Sequence, residues 1–300
     1  MDQAEILRDM KRMEERMNNG DDARSARTGR NAVTRVVAIT SGKGGVGKTN
    51  IAANLTYLLA AEGKQALLLD ADAGLANVDV ILGITPQYNL CHVLRGETSI
   101  DKTIVSGPGG MMILPAASGI QEMTDLSRGQ KLTLLDTLDG FEKPLDFMVI
   151  DTGAGIAGNV IYFNMCADEI IVVVTPEPTS LTDAYALIKV LYQRQAARRF
   201  RILVNMVRDG GDAQAVHRRL SNAVDHFLSL TVEYLGFIPF DENVHRSIKE
   251  QRLIVELFPT SAASRHIVGI ARKILQEKAV TSDNGTIKFF KRAVIGDNDR

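Results

Sequence analysis

The residues best suited to chemistry lie in one run, Ser41-Gly42-Lys43-Gly44-Gly45-Val46-Gly47-Lys48-Thr49. The pattern GxxxxGK(S/T), set between an apolar run and a stretch of helical spacing, is what a phosphate-cradling loop requires. Glycines let successive backbone N–H groups turn inward around β- and γ-phosphate oxygens, and the following helix adds its positive dipole end. Lys48 would then stand between the β- and γ-phosphates, with the Thr49 hydroxyl on Mg2+. The carboxylates such a reaction needs follow at two places. Asp70 and Asp72 close one apolar run, so one could hold the Mg2+ shell while the other positions the attacking water. Asp151 closes another, as a Mg2+-water ligand requires. Taken singly, a strand-terminal aspartate more often caps a helix; three of them after such a loop reverse that preference.

Positioning these groups falls to short apolar runs at 35–40, 66–70, 111–114, 145–150, 169–174, 201–204 and 232–238. They alternate with stretches of helical spacing at 48–62, 127–139, 157–166, 179–198, 212–228 and 261–278. Strands that are apolar throughout are buried on both faces, and their alternation with helices argues an α/β fold. The expectation is a doubly wound, mainly parallel sheet with helices on both faces, which binds ligands at the carboxyl ends of its strands. Four segments are expected: a helix over 1–17, a flexible linker over 18–33, the α/β core over 34–278, and a tail over 279–300.

Composition narrows the function classes. The 300 residues are 45% hydrophobic and 24% charged, an ordinary globular balance. Thirty-five Lys and Arg against 36 Asp and Glu leave a net charge of −1, so there is no global field to hold nucleic acid, and none is expected as partner. Cys91 and Cys166 lie far apart, which removes a disulfide framework, a zinc ribbon and a redox dithiol. No apolar run is long enough to span a bilayer and the charged N-terminus has no signal-peptide core, so a cytoplasmic chain is expected.

With Lys43 inside the loop, the sequence KGGVGKT resembles the deviant P-loop ATPases of the MinD/ParA superfamily. The resemblance covers about residues 34–278 and implies a MinD-like P-loop NTPase fold, ATP hydrolysis with Mg2+, and an ATP-dependent homodimer. It implies that Lys43 acts across the dimer on the partner's phosphates, as an arginine finger does in trans. It maps the water-orienting aspartate onto Asp72, leaving Thr49, Asp70 and Asp151 for Mg2+. The nucleotide would be held by Gly42, Lys43, Gly44, Gly45, Val46, Gly47, Lys48, Thr49 and Asn50. Glu177 would touch the partner's ribose, and Asp183 would hold Lys43 in the single chain, although Pro178 with Thr179 and Ser180 also reads as a plain helix start. Asn205 and Arg208 would read the adenine edge, with Pro239 and Asp241 closing the base site; Asn205 is equally a strand-end turn residue. Gly153 stands where MinD has proline, so the loop after Asp151 is expected to be looser.

The two tails carry the rest. Asp2-Gln3-Ala4-Glu5-Ile6-Leu7-Arg8 resembles the DQAxxLR motif of the FlhG family, MinD-like ATPases of flagellar number and position. That resemblance implies that Asp2, Gln3, Leu7 and Arg8 activate an SRP-type GTPase, FlhF, and that flagellar switch (C-ring) proteins are partners. The plain alternative is an amphipathic helix folded back on its own core. Near the other end, Ile287, Phe289, Phe290 and Val294 share one side of a helical wheel with Lys291 among the basic residues opposite. Over about 285–296 this reads as an interfacial helix for the inner face of the membrane, or as a core-docked tail. A ParA-type DNA-partition or cell-division role and a transcription-factor antagonist are the competing functions. An iron–sulfur carrier is set aside for want of paired cysteines.

Overall fold

The computed structural model describes residues 34–72, 77–116, 126–141, 143–194 and 199–277. The N-terminal helix and linker, with Asp2, Gln3, Leu7 and Arg8, lie outside the described residues. So does the C-terminal tail with Ile287, Phe289, Phe290, Lys291 and Val294.

Among the described residues eight strands form one sheet: β1 (Arg35–Ser41), β2 (Ala66–Ala71), β3 (Val105–Ser106), β4 (Met112–Leu114), β5 (Phe147–Ala154), β6 (Glu169–Val174), β7 (Arg199–Val207) and β8 (Glu233–Pro239). Their order is β3-β4-β2-β5-β1-β6-β7-β8, every pairing parallel except β3 with β4. The helices are α1 (Lys48–Ala61), α2 (Val78–Leu82), α3 (Leu90–Leu94), α4 (Ile100–Thr103), α5 (Arg128–Asp139), α6 (Gly158–Met165), α7 (Pro178–Gln193), α8 (Gly210–Leu228), α9 (Glu242–Lys249), α10 (Ile254–Leu257) and α11 (Ala262–Gln276).

The two-residue period of the strands divides the interior into two cores. Val36, Ala38, Leu67, Leu69, Met148, Ile150, Ile170 and Val172 face the layer of α5, α6, α7 and α8. Val37, Ile39, Leu68, Val149, Ile171 and Val173, their neighbours in sequence, face α1, α10 and α11. Because both faces are covered, the middles of the central strands are apolar at successive positions, with polar residues kept to the strand ends, and this is why the runs show no polar alternation. The expected doubly wound sheet is therefore present.

Central β1 lies between β5 and β6, so the loop after Ser41 opens where the chain order reverses direction across the sheet. At the opposite pole, charged residues at the starts of the strands are tied together. Arg35 on β1 and Arg201 on β7 both reach the buried Glu169 that opens β6, at 2.8 and 3.3 Å. Glu277, just past α11, pairs with Arg199 at 2.7 Å and with Arg201 at 2.8 Å.

One expectation is corrected here. The segment after Asp151 is not loose for want of a proline: β5 runs on through Gly153 to Ala154, Ser41 pairs with Ala154, and Gly155 N–H donates to the Ser41 carbonyl at 2.9 Å. Ladder bonds to the central strand fix what the side chain does not.

Candidate functional site

The phosphate loop joins β1 to α1 and shows the backbone that its glycines make possible. Gly45 and Gly47 have φ of 78° and 92°, in the left-handed region that other residues adopt at a cost. A Cβ at Gly44 or Gly45 would meet nothing within 4 Å, so the cradle side of the loop is open. Gly47 has the reverse constraint, since a Cβ there would lie 2.7 Å from the Asn205 amide nitrogen. Asn205, at the carboxyl end of β7, donates that amide to the Val46 carbonyl at 2.8 Å. Met206 beside it takes φ 58° at a break in the β7–β8 register.

Three carboxylates and one ammonium lie beneath the loop. Asp70 and Asp151 are register partners on neighbouring strands, both almost wholly buried. Burial, with Asp151 alongside, raises the Asp70 carboxyl well above the usual range, while the Asp72 N–H donates to it at 3.1 Å. Burial pushes Asp151 up to about 7, against the opposing pull of the Thr49 hydroxyl and the Lys48 ammonium. Lys48 itself is buried, which lowers its pKa, with Asp151 and Asp72 pulling the other way. Asp72 sits over Gly153, where a Cβ would come 3.4 Å from its oxygen.

Neither Asp151 oxygen has a full hydrogen-bond partner within the protein. Two orphaned carboxylate oxygens, buried beside a threonine hydroxyl, form the hard donor set that Mg2+ takes, directly or through water. Among the described residues, no three His, Cys, Asp or Glu side chains close around a point as a resident metal cage would.

Lys43 lies at the rim. Its ammonium contacts the Glu177 carboxylate and donates to the Thr179 hydroxyl at 3.1 Å, both at the start of α7. Glu177, expected at a partner's ribose, thus holds the lysine in the single chain, in place of the expected Asp183. Asp183 contributes its backbone, against which Gly42 packs so closely that a Cβ would fall 2.1 Å from its carbonyl carbon. Asn50 is buried with its amide nitrogen unpartnered. Arg208 is exposed and pairs with Asp212 at 2.6 Å. Pro239 ends β8, and Asp241 caps α9 and accepts from the Ala263 N–H at 3.0 Å.

Sequence reasoning missed Thr179 and Met206. Spacing gives no signal for Thr179, because its link to Lys43 crosses from one strand to the next. For Met206, the only cue is its place after the strand-end Asn205.

The site and fold define a phosphate-loop nucleotide enzyme. Residues 37–254 match the CobQ/CobB/MinD/ParA nucleotide binding domain, and the chain belongs to that family of ATPases. Within it, the chain is similar to proteins of the FlhG type. Antiactivator FleN of Pseudomonas aeruginosa is 42% identical over 261 residues, covering 87% of this chain and 93% of FleN. The flagellum site-determining protein YlxH of Helicobacter pylori is 34% identical, covering 86% of this chain and 89% of YlxH. Among solved structures, septum site-determining MinD complexed with Mg-ADP, from Pyrococcus horikoshii, aligns with TM-score 0.67 at 26% identity, covering 81% of this chain and 96% of that one.

Proposed function

We propose that the chain is an ATP-driven switch for flagellar number and placement. The flagellar part of this reading rests on likeness to YlxH, named for flagellum site determination, and to FleN. The observation that carries the switch is the contrast between two lysines of one loop. Lys48 is buried among carboxylates, whereas Lys43 rests on exposed Glu177 and Thr179 and is free to exchange them for another anion.

ATP would bind in the Gly42–Asn50 cradle, with the base near Asn205, Arg208, Pro239 and Asp241. Mg2+, held through Thr49, Asp70 and Asp151, would supply charge neutralisation of the β- and γ-phosphate oxygens. Asp72 orients a water for attack on the γ-phosphorus as the bond to the β,γ-bridging oxygen breaks, giving ADP and phosphate. Lys48, and Lys43 from a second copy, stabilise the charge that develops. Closure of two copies is thus a condition of turnover, and the ATP-bound pair is the long-lived state.

The remaining parts of the proposal fall on the tails. The segment 1–17, through Gln3, would stimulate an SRP-type GTPase of the FlhF kind, on a linker over 18–33. The helix at about 285–296 would hold the pair reversibly at the inner face of the membrane, near C-ring proteins, with two copies adding avidity. No helix among the described residues is long and apolar enough to cross a membrane. The antiactivator name of FleN favours one second reading, a transcription-factor antagonist, which would use the same ATP-gated pair.

Gel filtration with ATP tests the switch. Asp72→Ala is expected to accumulate a dimer, while Lys48→Ala stays monomeric. If Asp72→Ala gives no dimer, or Lys48→Ala dimerises as well as wild type, the proposal fails.

A further inference from the structure

A slot runs along the outer edge of β8, the last strand of the sheet, between the two helical layers. Its walls come from α8 on one side and α11 on the other, with Tyr234, Gly236 and Phe237 of the strand between them. It is a cavity of about 340 Å³ in the place where a ninth strand would lie. The lining shares no residue with the phosphate loop or with its three carboxylates.

Three features show what the slot is shaped for. The first is charge. Arg265, His266 and Lys273 line it and no carboxylate does, among the described residues, in a molecule whose net charge is −1. The second is the spacing of the cations. Arg265 and Lys273 stand two helical turns apart on α11, about 12 Å at 1.5 Å per residue. That matches the span of four residues of extended chain, about 13 Å. Lys273 spends one of its three donors on the Leu235 carbonyl of β8 at 2.8 Å and keeps two.

The third feature is Gly269, midway between the cations in the interior of α11. Glycine weakens a helix there, and nothing crowds the position, because a Cβ at Gly269 would meet no atom within 4 Å. Local stability is therefore forgone where a side chain would fill the slot. On the facing wall, Gly210 opens α8 with the Phe237 ring close by. A backbone can approach on both sides.

We propose that this slot binds an acidic peptide segment in extended form, laid beside β8. Two carboxylates four residues apart on one face of the peptide pair with Arg265 and Lys273, and small or β-branched residues between them pass over Gly269. An edge strand flanked by cations provides both the main-chain alignment and the charge selection that strand addition uses. Phosphate backbones offer charge too, but at a closer repeat and without a strand's fit between two layers.

The probe is a fluorescein-labelled Ser-Glu-Val-Thr-Val-Glu-Ser peptide, titrated by anisotropy against the full chain at low ionic strength. A peptide with lysine in place of both glutamates is the control. Wild type is expected to bind the acidic peptide saturably and the lysine peptide not at all. Arg265→Glu is expected to weaken binding by about tenfold or more, as loss and reversal of a paired charge does. Gly269→Leu is expected to do the same by filling the slot, while its melting temperature holds or rises and ATP hydrolysis stays at the wild-type rate. No saturable binding, or equal binding by Gly269→Leu, overturns the proposal. Binding of a single-stranded oligonucleotide with the same dependence on Arg265 also overturns it, by assigning the slot to phosphate.

Discussion

The buried carboxyl pair makes the nucleotide-free site costly, and Asp151 is where that cost can be measured. Its folded pKa, raised to about 7, lies above its unfolded value, so the native chain holds the extra proton between about pH 4 and 7. Stability from this group is accordingly lost as pH rises through that window. Asp151→Asn removes the charge and is expected to raise the melting temperature of the nucleotide-free chain at pH 8 by about 3–8 °C. Binding of Mg2+-nucleotide needs the ionised carboxylate, so wild-type affinity should climb with pH up to about 7 and then level, while Asp151→Asn stays weak and flat. Calorimetric titration across pH 5.5–8.5 checks both, and a wild-type affinity independent of pH would contradict the account. The identities of these groups were legible in the sequence, because a loop pattern and strand-terminal aspartates are local features. The grip of Glu177 on Lys43 was not, since it joins residues 134 positions apart through the adjacency of β1 and β6.

At the scale of elements, the site is a consequence of how closely α7 approaches the loop. Gly42 touches the backbone of Asp183, so any side chain at 42 must push the loop and the helix apart. Gly42→Ala is expected to cost about 1–3 kcal/mol of stability, as overpacking does. Because Glu177 and Thr179 open the same helix, it should also loosen the hold on Lys43 and weaken nucleotide binding by about tenfold or more. Thermal melts together with fluorescent-nucleotide titration read the two effects, and an unchanged affinity would show that loop and helix act independently. The central strands were readable for the reason they are stable, since burial on both faces leaves an apolar run of defined length. The antiparallel β3 was not, because two residues carry no periodicity, and α3, α4 and α10 are too short to show a helical period. The extension of β5 to Ala154 follows from pairing with β1, which no property of Thr152 or Gly153 announces.

Across the whole molecule, the ends of the strands divide the labour. Carboxyl ends hold the loop and the acids, and amino ends hold three arginines against three glutamates. Glu277 matters most to that balance because it serves two strands at once, bonding Arg199 and Arg201 of β7 while Arg35 of β1 reaches its carboxylate at 3.6 Å. Without it, three guanidinium groups at the base of β1 and β7 share two carboxylates, one of them buried. Breaking a buried pair is costly because the remaining charge has no partner; the partial exposure of Glu277 reduces the figure to about 1–3 kcal/mol. Glu277→Ala should therefore lower the melting temperature by about 3–10 °C, and Glu277→Gln by less, since the amide still accepts hydrogen bonds. The network lies a full strand length from the phosphate loop, so nucleotide affinity should be the same in all three proteins. Differential scanning calorimetry with and without nucleotide separates these terms. A Glu277→Ala protein that melts like wild type would mean that β1, β7 and α11 are held by their apolar contacts alone. A loss of nucleotide affinity would mean that the two poles of the sheet are coupled through β1, which joins Arg35 to the loop in only seven residues.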